Sequence, residues 1–470
     1  MLKQLMSFSL GPVVGAIISV ISIPVITRMV SPSDYGLLNL FITFFNFLFI
    51  MASFSDYAFA KKYYRFKEER QTSYLLWNNT MVALKITFVI GSILLFIPEH
   101  YSTLLFKVNT SKYICYLMVI LLLFAVFDRF SQLSIRMQSK GLLYSVINIE
   151  NKLLVLIFTV LLVIYFPELS IAPILAFVCA QVFTGFTSFY LSRSEWKLKN
   201  VKINTNLQKD LLKFSLPMFP STLIMWGLSS LTIIFLNAFS NLYEIGLFSG
   251  AQRIANILAI IQTSFMSFWM PMAFKLDHEK ASYEKFTKVN EAVLASMVGI
   301  FLLVLLLKDI IILFLGNEYQ EAIYLIPFTL FFPIMYTLSE AIGVGFALKE
   351  KVRFNLISSA IALIAFLFFS ILLIPKFGGI GAAISSAISY TTLFWAKALF
   401  SRKIWYEFSL NKYIKNTIFL ILYSLLNTFI QTNFIYIINI FGILIFLWIN
   451  WNQYYFRVLV TQIKHLKKHN

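Results

Sequence analysis

Long apolar segments follow one another along the whole chain and are separated by polar connections. Most are about 20 residues long, which lets an α-helix cross the ~30 Å hydrocarbon core of a bilayer. Strands of a transmembrane barrel would be about 10 residues long and would alternate in polarity, and these segments do not. The pattern predicts an all-α polytopic membrane protein with about fourteen transmembrane helices. The predicted spans are residues 7–28, 36–58, 74–97, 113–135, 142–166, 171–192, 211–236, 247–272, 289–315, 322–346, 354–374, 380–400, 413–431 and 434–451.

The composition agrees with this prediction and narrows the chemistry. Hydrophobic residues make up 59% of the chain and charged residues 13%, whereas a soluble domain has about 25% charged residues. The two cysteines lie in apolar segments and the four histidines in connections or the tail, so neither a disulfide framework nor a metal site is predicted. No phosphate-binding glycine motif is present, so ATP is not the expected direct energy source. We expect a transporter without cofactor, metal or catalytic residues.

The formal net charge of +18 has a topological explanation. Lys and Arg concentrate in alternate connections, above all in residues 61–73, 193–210, 273–288 and 401–412. The opposite side of the membrane, including the span ends that face it, holds only Arg28, Lys107, Lys112, Lys308 and Lys376. Basic loops stay in the cytoplasm, so the bias predicts a cytoplasmic (inner) membrane protein with both termini in the cytoplasm. It gives no reason to expect nucleic acid as a partner.

A few basic residues lie inside the predicted spans, where each would cost about 2.5–3.5 kcal/mol if it faced lipid. Lys397 is close to the cytoplasmic end of its span and is expected to extend to the headgroups. The others are predicted to face inward and to form a cationic, substrate-binding cavity. They are Lys85, Arg129, Lys152 and Arg253. For Arg253, extension to the headgroups is the alternative.

Three acidic residues also lie within the spans: Asp128, Glu150 and Glu340. Asp128–Arg129 and Glu150–Lys152 lack the i, i+3 or i, i+4 spacing at which helix side chains meet, so neither is expected to pair locally. Two roles stay open for the three carboxylates. They either pair with a base on another helix or couple transport to a proton or sodium gradient.

The beginning of the chain recurs near its middle. FSLGPVVGAII (Phe8–Ile18) matches FSLPMFPSTLI (Phe214–Ile224), and SPSDYGLLNLF (Ser31–Phe41) matches NLYEIGLFSGA (Asn241–Ala251). The copies have the same predicted orientation, which makes this a parallel repeat. We therefore predict two pseudo-symmetric six-helix lobes around a central cavity, residues 1–200 and 201–405. Residues 406–470 add two helices and a basic cytoplasmic tail.

Four ordered segments resemble the polysaccharide repeat-unit flippases, the O-antigen, capsule and teichuronic acid (Wzx-like) members of the MATE/MOP exporter superfamily. They are ITRMVSPSDYGLLNLFITFFN (Ile26–Asn46), FSLPMFPS (Phe214–Ser221), YEIGLFSGAQRIANIL (Tyr243–Leu258) and FGGIGAAISSAIS (Phe377–Ser389). The resemblance implies alternating access and a polyprenyl-pyrophosphate-linked oligosaccharide as cargo, carried from the cytoplasmic to the outer leaflet. It also implies a cationic lumen for the anionic head group, with membrane lipids, a polysaccharide polymerase and glycosyltransferases as partners.

Two related functions remain as alternatives. Lipid II-type flippases also have basic cavities, but usually with an Arg-Asp pattern in the first two helices. Here Arg28 and Asp34 lie at the outer helix ends. Cation-coupled small-molecule antiporters of the superfamily commonly have an acidic residue in the first helix, and the span 7–28 contains none.

Overall fold

The computed structural model describes residues 2–107, 112–197, 203–280, 282–430 and 434–450, and this part of the chain contains helices and no strand. Eighteen α-helices occur in it. In chain order they are α1 (Leu2–Met29), α2 (Pro32–Ser53), α3 (Asp56–Glu68), α4 (Thr72–Phe96), α5 (Pro98–Phe106), α6 (Lys112–Met137), α7 (Gly141–Tyr165), α8 (Ala172–Leu191), α9 (Thr205–Ser215), α10 (Phe219–Phe239), α11 (Leu242–His278), α12 (Tyr283–Leu306), α13 (Lys308–Ile312), α14 (Ile326–Thr329), α15 (Phe331–Leu348), α16 (Arg353–Ile404), α17 (Asn411–Phe429) and α18 (Phe434–Asn450).

The prediction of an all-α, multi-pass membrane protein is confirmed. Within the described ranges, nine helical segments are long and apolar enough to cross a membrane, and Val14–Met29 and Phe434–Trp448 are shorter apolar helices. The predicted basic tail after residue 450 lies outside the described residues.

Three connections predicted as loops contain short helices, namely α3, α5 and α9. The second predicted span extended to residue 58, but α2 ends at Ser53 and α3 begins at Asp56. The start of α2 is fixed locally, because the Ser31 hydroxyl accepts a hydrogen bond from the Asp34 backbone N–H at 3.1 Å. Mixed polar and apolar residues in α3 and α9 suit helices that bury one face only.

The described contacts divide the chain into two compact units, one ending at Gly246 and the other beginning at Leu247. The predicted lobe boundaries at residues 200 and 405 stay predictions. In the first unit α1 packs on α7, α7 on α8, and α6 on both α4 and α8. One core cluster of this unit gathers side chains from α2, α3, α4, α6 and α9 with Trp196.

Within the first unit, the first turns of α2 and α11 touch through their backbones. A Cβ on Gly36 would lie 2.0 Å from the Leu242 carbonyl oxygen, and a Cβ on Gly246 would lie 1.9 Å from that of Pro32. The contact is reciprocal, because the two glycines and the two residues whose carbonyl groups they face occupy equivalent positions in SPSDYGLL and NLYEIGLF. Only glycine permits so close a helix crossing.

In the second unit α15 packs on α16, and α12 packs on α15 and α18. Helix α16 covers two predicted spans, 354–374 and 380–400, and contains a sharp break between them. Gly378 has φ 51°, a backbone conformation that glycine adopts without a Cβ clash, and Pro375 stands just before it.

Candidate anion-binding site

Lys85 stands in the middle of α4 and its side chain is exposed. Its Nζ donates a hydrogen bond to the Gln208 side-chain oxygen at 2.8 Å. It forms no ion pair with any residue that the structure describes. An ammonium has three donors, so a neutral amide satisfies one and leaves the positive charge uncompensated. Such a cation within an apolar helix is suited to an anionic ligand or to water.

Helix α9 brings Gln208 to this position. Asn204 caps α9 by accepting hydrogen bonds from the backbone N–H groups of Asn206 at 2.9 Å and Leu207 at 3.1 Å. The Asn204 backbone N–H in turn donates to the Asn78 side-chain oxygen at 2.8 Å, which joins α9 to α4. Gln208 then lies one turn into α9 and is buried, so its side chain has few alternative positions.

Arg129 has a carboxylate partner. Its Nε donates to Asp56 Oδ2 at 3.0 Å, and its Nη2 contacts the same oxygen. Asp56 opens α3 and is buried, whereas the Arg129 side chain is half exposed. Asp56 lies near the end of the predicted span 36–58, and the sequence offers no spacing that joins it to Arg129, because the two are 73 residues apart. The charge of Arg129 is therefore largely compensated.

Lys152 and Arg253 are placed on α7 and α11. The Lys152 side chain is exposed and lies beside α1. If Gly15 of α1 carried a Cβ atom, that atom would lie 3.6 Å from Lys152 Cγ. Arg253 is half-buried and belongs to the second unit, while Lys85, Arg129 and Lys152 belong to the first. Both Lys152 and Arg253 take part in interactions with other residues. Their assignment to a substrate-binding cavity stays a prediction.

The carboxylates of Asp128 and Glu150 are held by hydroxyl and amide groups. Asp128 Oδ1 accepts from the Ser188 hydroxyl at 2.6 Å, and both of its oxygens accept from Gln132 Nε2 at 2.9 Å. Glu150 Oε1 accepts from the Thr187 hydroxyl at 2.7 Å. Asp128 thus contacts α8, while its neighbour Arg129 contacts α3. Successive residues of a helix point about 100° apart, so the two side chains face different neighbouring helices. Ion coupling through these acids stays a prediction.

Glu340 pairs with Lys397 across α15 and α16, at 2.5 Å between Oε1 and Nζ. The expectation that Lys397 extends to the headgroups is wrong, because only 5% of its side chain is exposed. Gly343 leaves room for it, since a Cβ there would lie 3.2 Å from Lys397 Cδ. The partly exposed Glu340 carboxylate therefore compensates the charge of the buried Lys397 ammonium. The sequence contained both residues but no local spacing that joins them.

In the described ranges, no group of three or more His, Cys, Asp or Glu side chains could hold a metal ion. The predicted absence of a metal, a cofactor and catalytic residues stays a prediction.

Comparisons with known proteins give the chain a family and a fold. A family model described as "Polysaccharide biosynthesis protein" matches residues 1–277. The capsular polysaccharide biosynthesis protein CapF of Staphylococcus aureus is 29% identical over 221 residues, which is 45% of this chain and 54% of CapF. The chain thus matches about half the length of this curated relative.

The solved structures that are similar over most of the chain include a lipid II flippase and a multidrug transporter. The lipid II flippase MurJ, in an inward closed conformation, has a TM-score of 0.69 at 18% identity and covers 96% of this chain and 99% of its own. An inward-facing multidrug resistance MATE family transporter of the MOP superfamily has a TM-score of 0.63 at 14% identity. That match covers 83% of this chain and 94% of the transporter. At these identities the likeness shows the fold, and together with the family match it confirms the resemblance predicted from the sequence.

Proposed function

This chain belongs to the polysaccharide biosynthesis protein family, and from that premise we propose that it moves a polyprenyl-pyrophosphate-linked oligosaccharide across the membrane. The cargo passes from the cytoplasmic to the outer leaflet by alternating access. The protein acts as a transporter and catalyses no covalent change. Its place is the cytoplasmic membrane, with both termini in the cytoplasm, and it serves glycosyltransferases that build the cargo and a polymerase that uses it.

The neutral partner of Lys85 carries this proposal. A pyrophosphate cannot enter hydrocarbon without a group that compensates its charge, since desolvating an ion costs many kcal/mol. A protein that moves a pyrophosphate across the membrane needs a cation whose charge is not already compensated by a carboxylate. Arg129 and Lys397 are paired with Asp56 and Glu340. Lys85 instead has a neutral amide as its partner, so no carboxylate of the described residues competes with the phosphate for it.

The energy source belongs to the proposal as well. Asp128, Glu150 and Glu340 are the candidates for coupling transport to a proton or sodium gradient, since carboxylates inside membrane helices can take up and release protons. The hydrogen-bond donors around Asp128 and Glu150 favour structural roles for these two. A flux that persists when both gradients are collapsed would remove ion coupling from the proposal.

Complementation of a strain that lacks its own repeat-unit flippase tests the role of Lys85. We expect Lys85→Gln to lower surface glycan about 10-fold or more at equal protein abundance, because a charge-assisted hydrogen bond contributes about 1.5–3 kcal/mol. Lys85→Arg should restore part of the export. Lys62→Gln is the matched control, since it removes a positive charge of the same unit from the exposed ion pair with Asp210.

Two results would count against the proposal. Wild-type export by Lys85→Gln would remove Lys85 from the binding site. Rescue of a strain lacking its lipid II flippase, with no rescue of the polysaccharide strain, would favour the lipid II alternative.

A further inference from the structure

We propose that Gln208 is a positioning residue, which holds the Lys85 ammonium in place for a phosphate group without neutralising it. This inference rests on the proposed function and names the residue that prepares its binding site. Gln208 lies on α9, far from Lys85 in sequence.

A chain of hydrogen bonds fixes the direction in which the Gln208 amide points. Asn78 Nδ2 donates to the Tyr74 carbonyl at 2.9 Å, so Asn78 Oδ1 points towards α9. Gln208 Nε2 lies 3.4 Å from this Asn78 oxygen, and Gln208 Oε1 faces Lys85 Nζ at 2.8 Å. A flipped Gln208 amide would turn its own donors towards the ammonium and its oxygen towards the Asn78 oxygen. The arrangement therefore has one favourable orientation.

Neutrality of the partner distinguishes this contact from the ion pairs elsewhere in the chain. A carboxylate at residue 208 would reach Lys85 equally well and would bind it more strongly, as Asp56 binds Arg129. It would also cancel the charge that an anionic ligand needs. The amide oxygen accepts one of the three N–H donors of the ammonium and thereby orients it. The other two N–H donors and the positive charge stay available to the ligand. Burial of Gln208 keeps the amide in this position, because only 5% of the residue is exposed.

The competing explanation is a purely structural role, in which the Lys85 hydrogen bond to Gln208 only holds α9 against α4. Asn78 and Lys85 are two turns apart and lie on one face of α4, so both meet α9. The two explanations make opposite predictions for Gln208→Glu. This change places an ion pair at the Lys85 contact and loses the Gln208 Nε2 hydrogen bond to Asn78 Oδ1, so α9 stays attached to α4 while the charge of Lys85 is compensated.

The decisive experiment measures binding of farnesyl pyrophosphate to the purified full-length chain in detergent, with farnesol as the uncharged control probe. We expect Gln208→Glu to weaken binding of the pyrophosphate about 10-fold or more while farnesol binding and the thermal midpoint stay at wild-type values. Asp210→Asn is the matched control on the same helix. It breaks the exposed contact of α9 with Lys62 and leaves Lys85 untouched, so it should bind the pyrophosphate like wild type.

A second variant decides the question if Gln208→Glu lowers the thermal midpoint. Gln208→Ala removes the orienting oxygen and keeps the charge of Lys85, so we expect a loss of pyrophosphate affinity of a few-fold. Unchanged affinity in both variants, alongside weak binding by Lys85→Gln, would overturn the positioning role and leave the proposed function intact. Wild-type binding and export by Lys85→Gln itself would overturn the Lys85 site as a whole.

Discussion

The backbone contact between α2 and α11 gives a sharp prediction for two alanine substitutions. Gly36→Ala would place a methyl group 2.0 Å from the Leu242 carbonyl oxygen, and Gly246→Ala would place one 1.9 Å from the Pro32 carbonyl oxygen. Carbon and oxygen atoms not bonded to each other need more than about 3 Å, so the two helix turns would have to separate by about 1 Å. Backbone carbonyls in a helix cannot rotate away as a flexible side chain can.

The magnitude follows from two opposing effects. Replacing glycine by alanine in a helix interior favours the helix by roughly 0.5–1 kcal/mol. Overpacking a close contact costs about 1–3 kcal/mol, and here it acts on main chain on both sides. We expect each single variant to lower the free energy of unfolding by about 1–2 kcal/mol. Because both methyl groups push apart the same crossing, the double variant should cost less than the sum of the two.

Thermal unfolding of the detergent-solubilised protein, followed by size-exclusion chromatography, measures this effect. Gly185→Ala on α8 is the matched control, because its added Cβ would meet no atom closer than 3.5 Å. We expect Gly185→Ala to melt at or slightly above the wild-type midpoint and the two crossing variants to melt below it. If Gly36→Ala and Gly246→Ala both melt like Gly185→Ala, the close crossing is absent from the folded protein.

The remaining predictions concern a buried ion pair and a buried phenol. Lys397→Met leaves the Glu340 carboxylate without its partner and should destabilise the protein by about 3–5 kcal/mol. Adding Glu340→Gln should restore most of the thermal midpoint, and a double variant no better than the single one would contradict the pairing. Burial raises the pKa of Tyr63 from its ordinary value of 10.0 to about 12, so the folded state favours the protonated phenol. The resulting stability is complete below pH ~10 and is lost as the pH rises towards 12. Tyr63→Phe should therefore lose less stability than wild type across this pH window in thermal melts, and an equal loss would refute the assignment.

Much of this protein could be read from its sequence, because a membrane helix is specified by a local property. An apolar run of about 20 residues is favourable in the bilayer whatever surrounds it, so the spans and the fold class followed from the apolar pattern. The family resemblance came from four ordered sequence segments. The short helices α3, α5 and α9 were missed because their mixed composition resembles that of polar connections. The repeat placed Gly36 and Gly246 at equivalent positions, but their mutual contact could not be seen in the sequence.

The partners of the charged residues were decided by tertiary structure alone. The sequence identified Lys85, Arg129, Glu340 and Lys397 as charges that must avoid lipid, since the cost of exposing them there is a property of the residue. Which group meets each charge depends on helices far apart in the chain: Arg129 meets Asp56 across 73 residues, Glu340 meets Lys397 across 57, and Lys85 meets an amide across 123. No local spacing encodes such pairs. The difference between a compensated cation and one left for a ligand therefore appeared only when the helices were packed together.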